Sequence, residues 1–191
     1  MSSYTREAAQ HVHYRHSLKL RGARRIQVCL PPSKHLAGQL AAFAKIWDQA
    51  MGQLQSHGLA KLGRGIDVVF TARRGYYARF WRGNILCINL PDLLGQGSKA
   101  PGIILHELGH RVWFHVAGQK TRARWAADHH ARRKIDPRGG SFVSPYARTN
   151  ALEDHAEAFR ARVEGSLTGH AQTRYERFGP LTRTIQQRLG A

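Results

Sequence analysis

The chain has 191 residues and a mass of 21.5 kDa, which suits one domain with its own hydrophobic core. It is 42% hydrophobic and 22% charged, and the absence of any run of about 18 apolar residues argues against a membrane span. Its 30 Lys and Arg residues exceed its 12 Asp and Glu residues and give a net charge of +18, which indicates either an anionic partner such as nucleic acid or a merely basic surface.

The N-terminal segment is basic and lacks a sustained apolar period. We therefore predict a basic arm over residues 1–25, followed by a single domain over residues 26–191. The arm has no apolar stretch typical of a secretory signal, so we expect a cytoplasmic protein or one exported without a classical signal peptide. The two cysteines, Cys29 and Cys87, are too few for a disulfide framework and indicate a reducing compartment.

The first half of the domain has the pattern of short strands around one long helix. Residues 26–30 predict a strand that ends at two prolines, and residues 33–58 have the apolar spacing of a helix. Three runs rich in β-branched and aromatic residues follow, over 66–71, 76–81 and 85–90, with glycine-containing turns between them. These runs predict an antiparallel meander.

The second half is mainly helical. One helix is predicted from residue 101 to about 116 and another to about 134, and the loop over 136–144 is long enough to cover a cleft. Two more helices are expected over about 150–164 and 173–189. Together these elements predict an α+β fold in which a small antiparallel or mixed sheet packs on helices.

The segment HELGH at residues 106–110 has the HExxH pattern of zinc hydrolases. On a helix, His106 and His110 share one face and can bind one metal ion, while Glu107 can reach a water molecule there. Apolar residues surround the motif, and burial of three such groups without a partner would be costly. The alternative is an amphipathic helix with exposed histidines. Arg111 follows the second histidine, where zinc peptidases usually have an uncharged residue.

A catalytic zinc ion needs a third protein ligand and one open position. A metzincin arrangement is excluded because Trp113 and Val116 occupy the positions of its glycine and third histidine. His115 is expected to point away from the metal-binding face of the helix. His129 and His130, on the following helix, are candidates for the third ligand, and a later glutamate is another.

That glutamate lies in residues 144–160, where Tyr146 precedes Glu153 by seven positions. The linker Arg-Thr-Asn lies between them, and Ala-Glu-Ala-Phe follows at residues 156–159. This segment resembles the third-ligand helix of the catalytic domain of anthrax lethal factor and of related zincins that include the Pro-Pro endopeptidases. With the HELGH segment, the resemblance extends over roughly residues 103–189.

The resemblance implies a zincin-like metallopeptidase fold with the HExxH segment on an active-site helix. It also implies that His106, His110 and Glu153 bind Zn²⁺, that Glu107 is the general base, and that Tyr146 hydrogen-bonds the oxyanion during catalysis. The cofactor expected from this resemblance is therefore one zinc ion.

Several of these residues also have purely structural explanations. Glu153 has the position of a capping-box carboxylate, and Glu157 could pair with Arg160 at the surface. Tyr146 could be an ordinary core residue. As a functional alternative, Glu157 or Asp154 would orient a ligand histidine from the second shell, as carboxylates commonly do in metal sites.

Two functions are compatible with these patterns. The first is a zinc-dependent endopeptidase that cleaves a protein or peptide substrate lying extended along an edge strand. The second is a basic protein that binds nucleic acid or another polyanion and has a structural or degenerate zinc site, or a protease recruited to nucleic acid. The charge of +18 further implies that basic substrate segments are repelled unless the cleft is locally acidic.

Overall fold

The computed structural model is an α+β fold in which one mixed sheet of four strands packs on helices. The predicted fold class is confirmed at this level. Two predicted segments lie largely outside the described part of the chain. They are the first 17 positions of the predicted arm and most of the last predicted helix beyond residue 178. The structure describes residues 18–31, 33–72 and 75–178 together with positions 184 and 187.

The sheet has the strand order β1-β2-β4-β3. Its strands are β1 (Arg25–Cys29), β2 (Asp67–Thr71), β3 (Ala78–Trp81) and β4 (Ile85–Asn89). β2 runs parallel to both β1 and β4, whereas β3 pairs antiparallel with β4 alone and forms an edge.

The predicted antiparallel meander is wrong, because β2 pairs with β4 and not with β3. The glycine-containing turns reverse the chain as expected, but a turn does not determine which strand becomes the neighbour. β4 buries three of its five residues and lies between two strands. β3 exposes Arg79 and Trp81, which suits an edge position.

The described residues form six α-helices, none of which is both long and apolar enough to cross a membrane. A π-helical turn at Val112–Val116 extends α3, and 3-10 turns lie at Ala60–Gly63, Gly97–Lys99 and Tyr146–Arg148. The helices are α1 (Leu36–Ser56), α2 (Leu90–Leu94), α3 (Ala100–Arg111), α4 (Gln119–Ile135), α5 (Ala151–Val163) and α6 (Gly169–Phe178).

The core lies between one face of the sheet and the apolar stripe of α1. In this core the ring of Phe43 packs edge-to-face on Phe70 of β2, with 4.8 Å between the ring centroids. The predicted apolar stripe is confirmed. Because its residues lie on one side of the helix, α1 packs that side against the sheet. The buried stripe residues are Leu36, Leu40, Phe43, Trp47, Ala50, Met51 and Leu54.

The described end of the predicted arm lies against the domain. Leu20 is buried in the core, and the indole of Trp47 donates a 3.0 Å hydrogen bond to the carbonyl of Arg21. Arg24 forms two hydrogen bonds of 2.8 and 2.6 Å with the Asp67 carboxylate of β2. Residues 18–24 therefore belong structurally to the domain.

Helices α3 and α5 approach each other so closely that their backbones nearly touch. A Cβ atom added at Gly109 would lie 2.8 Å from the Cα atom and 3.1 Å from the carbonyl oxygen of Ala156. Only a residue without a side chain fits this crossing. The Gly109–Ala156 contact therefore sets the distance between the two helices.

The substitution Gly109→Ala is expected to lower the free energy of unfolding by about 1–3 kcal/mol, because the added methyl group must displace the backbone of α5. Gly102→Ala, in the same helix, is the matched control. Its Cβ would meet only the flexible ends of Glu164 and Arg160, so the usual gain from alanine in a helix should offset any cost. Urea denaturation measures both variants, and equal midpoints would contradict this account of the crossing.

Candidate metal centre

Helix α3 carries the HELGH residues in a buried setting. The helix starts after Lys99 with Pro101 in its first turn, where a missing N–H costs no hydrogen bond. His106, Glu107 and His110 expose only 7%, 6% and 7% of their surface. The alternative of a helix with exposed histidines is therefore wrong.

The two histidines and Glu153 form one compact cluster. The Nε2 atom of His106 lies 3.0 Å from Oε2 of Glu153, and Nε2 of His110 lies 3.3 Å from the same oxygen. Ligand atoms of all three side chains fall within 4.8 Å of one another. This geometry could hold a metal ion between two imidazoles and one carboxylate.

Glu153 reaches the histidines because of how α5 begins. The side chain of Asn150 caps the helix and accepts 3.0 Å hydrogen bonds from the amides of Leu152 and Glu153. The predicted cap is present, but the Glu153 carboxylate contacts the imidazoles of α3. With α3 and α5 held together at Gly109, the first turn of α5 directs this carboxylate onto the HELGH face.

Glu157 lies behind His106. Its Oε1 atom is 2.7 Å from Nδ1 of His106, and its Oε2 accepts a 2.6 Å hydrogen bond from the hydroxyl of Ser144. Arg160 also lies 3.1 Å from Oε2, so Glu157 both pairs with Arg160 and contacts His106. A proton held on Nδ1 leaves Nε2 with its lone pair toward Glu153, which is the tautomer that a metal ligand requires.

The electrostatics of the cluster favour a positive charge between the carboxylates. Burial alone would lower the pKa of His106, but the hydrogen bonds to Glu153 and Glu157 raise it to about 9. Burial opposes ionisation of Glu153, yet its hydrogen bonds to His106 and His110 lower its pKa to about 2. A divalent cation at the Nε2 atoms would satisfy the same demand for positive charge.

Glu107 lies beside the cluster, but it forms no hydrogen bond with His106 or His110. Its Oε2 accepts a 2.7 Å hydrogen bond from the backbone amide of Phe80 in β3. Burial raises the pKa of this carboxyl group, while the neighbouring histidines oppose the rise. Glu107 therefore links α3 to the edge strand of the sheet.

Tyr146 lies at the rim of the cluster on the 3-10 turn Tyr146–Arg148. It is 54% exposed, which rules out an ordinary core role, and its ring centroid is 5.7 Å from that of His106. Partial burial raises the pKa of the phenol, and the charges of Glu153 and Glu107 raise it further. The hydroxyl consequently stays protonated and able to donate a hydrogen bond at neutral pH.

Asp154 does not orient a histidine of the cluster, although it follows Glu153 directly. It is fully buried on the opposite side of α5, where it accepts a 2.9 Å hydrogen bond from Trp125. Arg132 donates to it at 2.7 Å, and Arg174 donates at 2.7 and 3.0 Å. One residue along a helix rotates the side chain by about 100°, which turns Asp154 toward α4 and α6.

The other candidate ligand histidines, His129 and His130, also lie apart from the cluster. Nε2 of His129 is 3.3 Å from the carbonyl of Ala147, and His130 is exposed, so neither joins His106 and His110. His155 packs between Trp113 and Trp125, and burial lowers its pKa to about 3. It thus fills an apolar space as a neutral ring.

One residue with a role near the site, Ser144, was missed from the sequence. Ser144 holds Glu157, and only its position shortly before Tyr146 could have suggested it. Arg111 was noted as unusual, and the structure explains it. Its guanidinium is directed away from the cluster, donating to the carbonyl of Leu62 and, at 3.1 Å, to the side chain of Asn84.

Comparison of the chain with protein-family models, with curated proteins and with solved structures finds no significant match. The geometry of the His106–His110–Glu153 cluster and the residues around it are therefore the features that bear on function.

Proposed function

We propose that the protein is a zinc-dependent endopeptidase of the zincin type. The observation that carries this proposal is the convergence of Nε2 of His106 and Nε2 of His110 on one oxygen of Glu153, at 3.0 and 3.3 Å. The resemblance of the two segments to lethal-factor-like zincins supports the same function.

The donor set fits zinc. Two imidazoles and one carboxylate are a known ligand set of catalytic zinc, and three protein ligands leave one position open. His106 would be held in the required tautomer by Glu157, and Glu157 by Ser144. A zinc ion bound there supplies a Lewis acid that polarises a peptide carbonyl and lowers the pKa of water toward 7.

Glu107 is suited to the proton transfers of hydrolysis. Phe80 occupies its Oε2 atom, which leaves Oε1 to accept a proton from the attacking water. Burial raises the pKa of this carboxyl group and brings it closer to the working pH, where a general base is most effective. The same oxygen would then return the proton to the leaving amine.

Tyr146 is placed to stabilise negative charge that develops on the substrate carbonyl. Its phenol is protonated and partly exposed, and its ring centroid lies 5.7 Å from that of His106. A donor aimed at a developing oxyanion contributes more to the transition state than to the bound substrate.

The substrate would bind along β3, which is the edge strand next to the cluster. The β3–β4 pairing leaves one side of β3 without a neighbouring strand, and the amide of Phe80 on that side reaches Glu107. An extended peptide can add to such an edge through backbone hydrogen bonds. In this arrangement the scissile bond would lie beside the HELGH helix.

The test is zinc binding together with zinc-dependent cleavage. The wild-type chain is expected to bind one zinc ion and to cleave unfolded casein, with activity lost on chelation and restored by zinc. Glu153→Ala should weaken zinc binding at least about 100-fold, because it removes a direct ligand. Glu164→Ala, at the exposed end of the same helix, is the control and should bind zinc normally. A folded wild type that binds no zinc would refute the proposal.

A polyanion-binding role is a separate candidate that the surface of α4 favours. This helix exposes several cations, and its single acid, Asp128, is paired with Arg132 at 2.8 Å. Binding alone does not explain why two histidines and two glutamates are buried together, so we rank it second. The exposed cations are Lys120, Arg124, Arg133 and Lys134.

A further inference from the structure

Two exposed arginines flank the part of β3 that contacts the cluster. Arg79 lies within β3, and its guanidinium is 5.4 Å from the ring centroid of Trp81 and 5.7 Å from that of Tyr76. Arg82 follows the strand, with its guanidinium 5.3 Å from the ring centroid of Phe114. Cation–π contacts of this kind hold a guanidinium in place while leaving its N–H groups accessible.

The two arginines lie on either side of the strand residue that contacts the cluster. Phe80, whose amide binds Glu107, lies between them in the chain. The aromatic ring that holds Arg82 belongs to Phe114, which lies 6.4 Å from the ring of His110. On the other side of Phe80, Arg79 is held by Tyr76 and Trp81, and its charge opposes the rise in the pKa of the Tyr146 phenol.

The carboxylates on the elements around the site are already engaged. β3 and β4 contain none, and the one acid of α3, Glu107, is bound by Phe80. On α5, Glu153 and Glu157 contact the histidines. Within the described ranges, neither Arg79 nor Arg82 forms an ion pair and both side chains are exposed, so both charges are available to a ligand.

We propose that this cleft selects acidic peptide segments, with Arg79 and Arg82 binding substrate carboxylates on either side of the cleaved bond. The inference rests on the proposed peptidase function and adds its substrate class. Arg79 and Arg82 are three residues apart, so a substrate with acidic residues on both sides of the cleaved bond would offer a carboxylate to each guanidinium. A peptide is favoured over nucleic acid because β3 is an edge strand, along which an extended peptide can lie.

The experiment measures kcat/KM for zinc-loaded protein on three fluorogenic peptides that differ only in the flanking residues, which are Glu, Gln or Lys. The wild type should prefer the Glu peptide to the Lys peptide by about tenfold or more. The double variant Arg79→Glu with Arg82→Glu should lose or reverse this preference. Arg133→Glu with Lys134→Glu, on exposed α4, makes the same change in net charge and should keep it.

The outcomes separate the inference from the function on which it rests. Equal cleavage of the three peptides by the wild type would overturn the inference and leave the peptidase proposal standing. Failure of the zinc-loaded protein to cleave these peptides or casein would overturn both. Loss of preference in the α4 control would indicate a bulk charge effect and overturn the assignment to Arg79 and Arg82. Weaker oligonucleotide binding by the β3 double variant, combined with an unchanged peptide preference, would also overturn this assignment.

Discussion

Replacement of Glu107 by Gln is expected to reduce kcat/KM for peptide hydrolysis by about 10³-fold, because a positioned general base typically contributes a factor of this order. Glutamine has the same shape and keeps a carbonyl oxygen that can accept the hydrogen bond from Phe80. It cannot take a proton from water at neutral pH. The fold and the zinc content of the variant should therefore match those of the wild type while turnover is lost.

Glu176→Gln is the matched control for this result. Glu176 is exposed on α6 and hydrogen-bonded to Gln172 at 3.0 Å, so the same chemical change occurs away from the cluster. Activity, zinc content and circular dichroism would be measured for both variants. Full activity in Glu107→Gln would remove Glu107 from the mechanism, and loss of zinc in that variant would show that it acts on the ligands instead.

Asp154→Ala is expected to lower the free energy of unfolding by about 3–5 kcal/mol, the range found when one partner of a buried ion pair is removed. The side chain of Asp154 is completely buried and receives three hydrogen bonds from Arg132 and Arg174, as well as one from Trp125. Its removal would leave the buried guanidinium of Arg174, which is 5% exposed, without its main counter-charge.

The control for this stability measurement is Asp48→Ala on the exposed side of α1, which should change stability by no more than about 0.5 kcal/mol. Urea denaturation followed by circular dichroism gives both values. If the two variants unfold at similar urea concentrations, the network around Asp154 does not hold α4, α5 and α6 together in the way described here.

Most of the longer helices and the pairing of the two histidines could be predicted from local patterns. The apolar stripe of α1 follows from its 3.6-residue period, and the pairing of His106 with His110 follows from their spacing on one helix. The position of Glu153 beside them was predicted from the resemblance, and the structure brings these three residues together. The prediction that Glu157 contacts a histidine is also consistent with its 2.7 Å distance to Nδ1 of His106.

The features that were missed depend on contacts between distant parts of the chain. The parallel pairing of β2 with β4 is one, since turn residues describe chain reversal and carry no information about strand order. The orientation of Asp154 is another. Whether it faces the histidines or the arginines depends on how α4 and α6 pack on α5, which the spacing within α5 does not specify.

The anchoring of Arg111 has a consequence for how a substrate could enter. Because its guanidinium ties the end of α3 to Leu62 and to Asn84 in the β3–β4 turn, the HELGH helix and the edge strand form one rigid wall. Asn84 adopts a left-handed backbone conformation with φ of 59°, so the β3–β4 turn has a defined backbone conformation of its own. Any opening or closing of the cleft would then come from movement of its opposite wall, which is the segment over residues 136–150 that carries Tyr146.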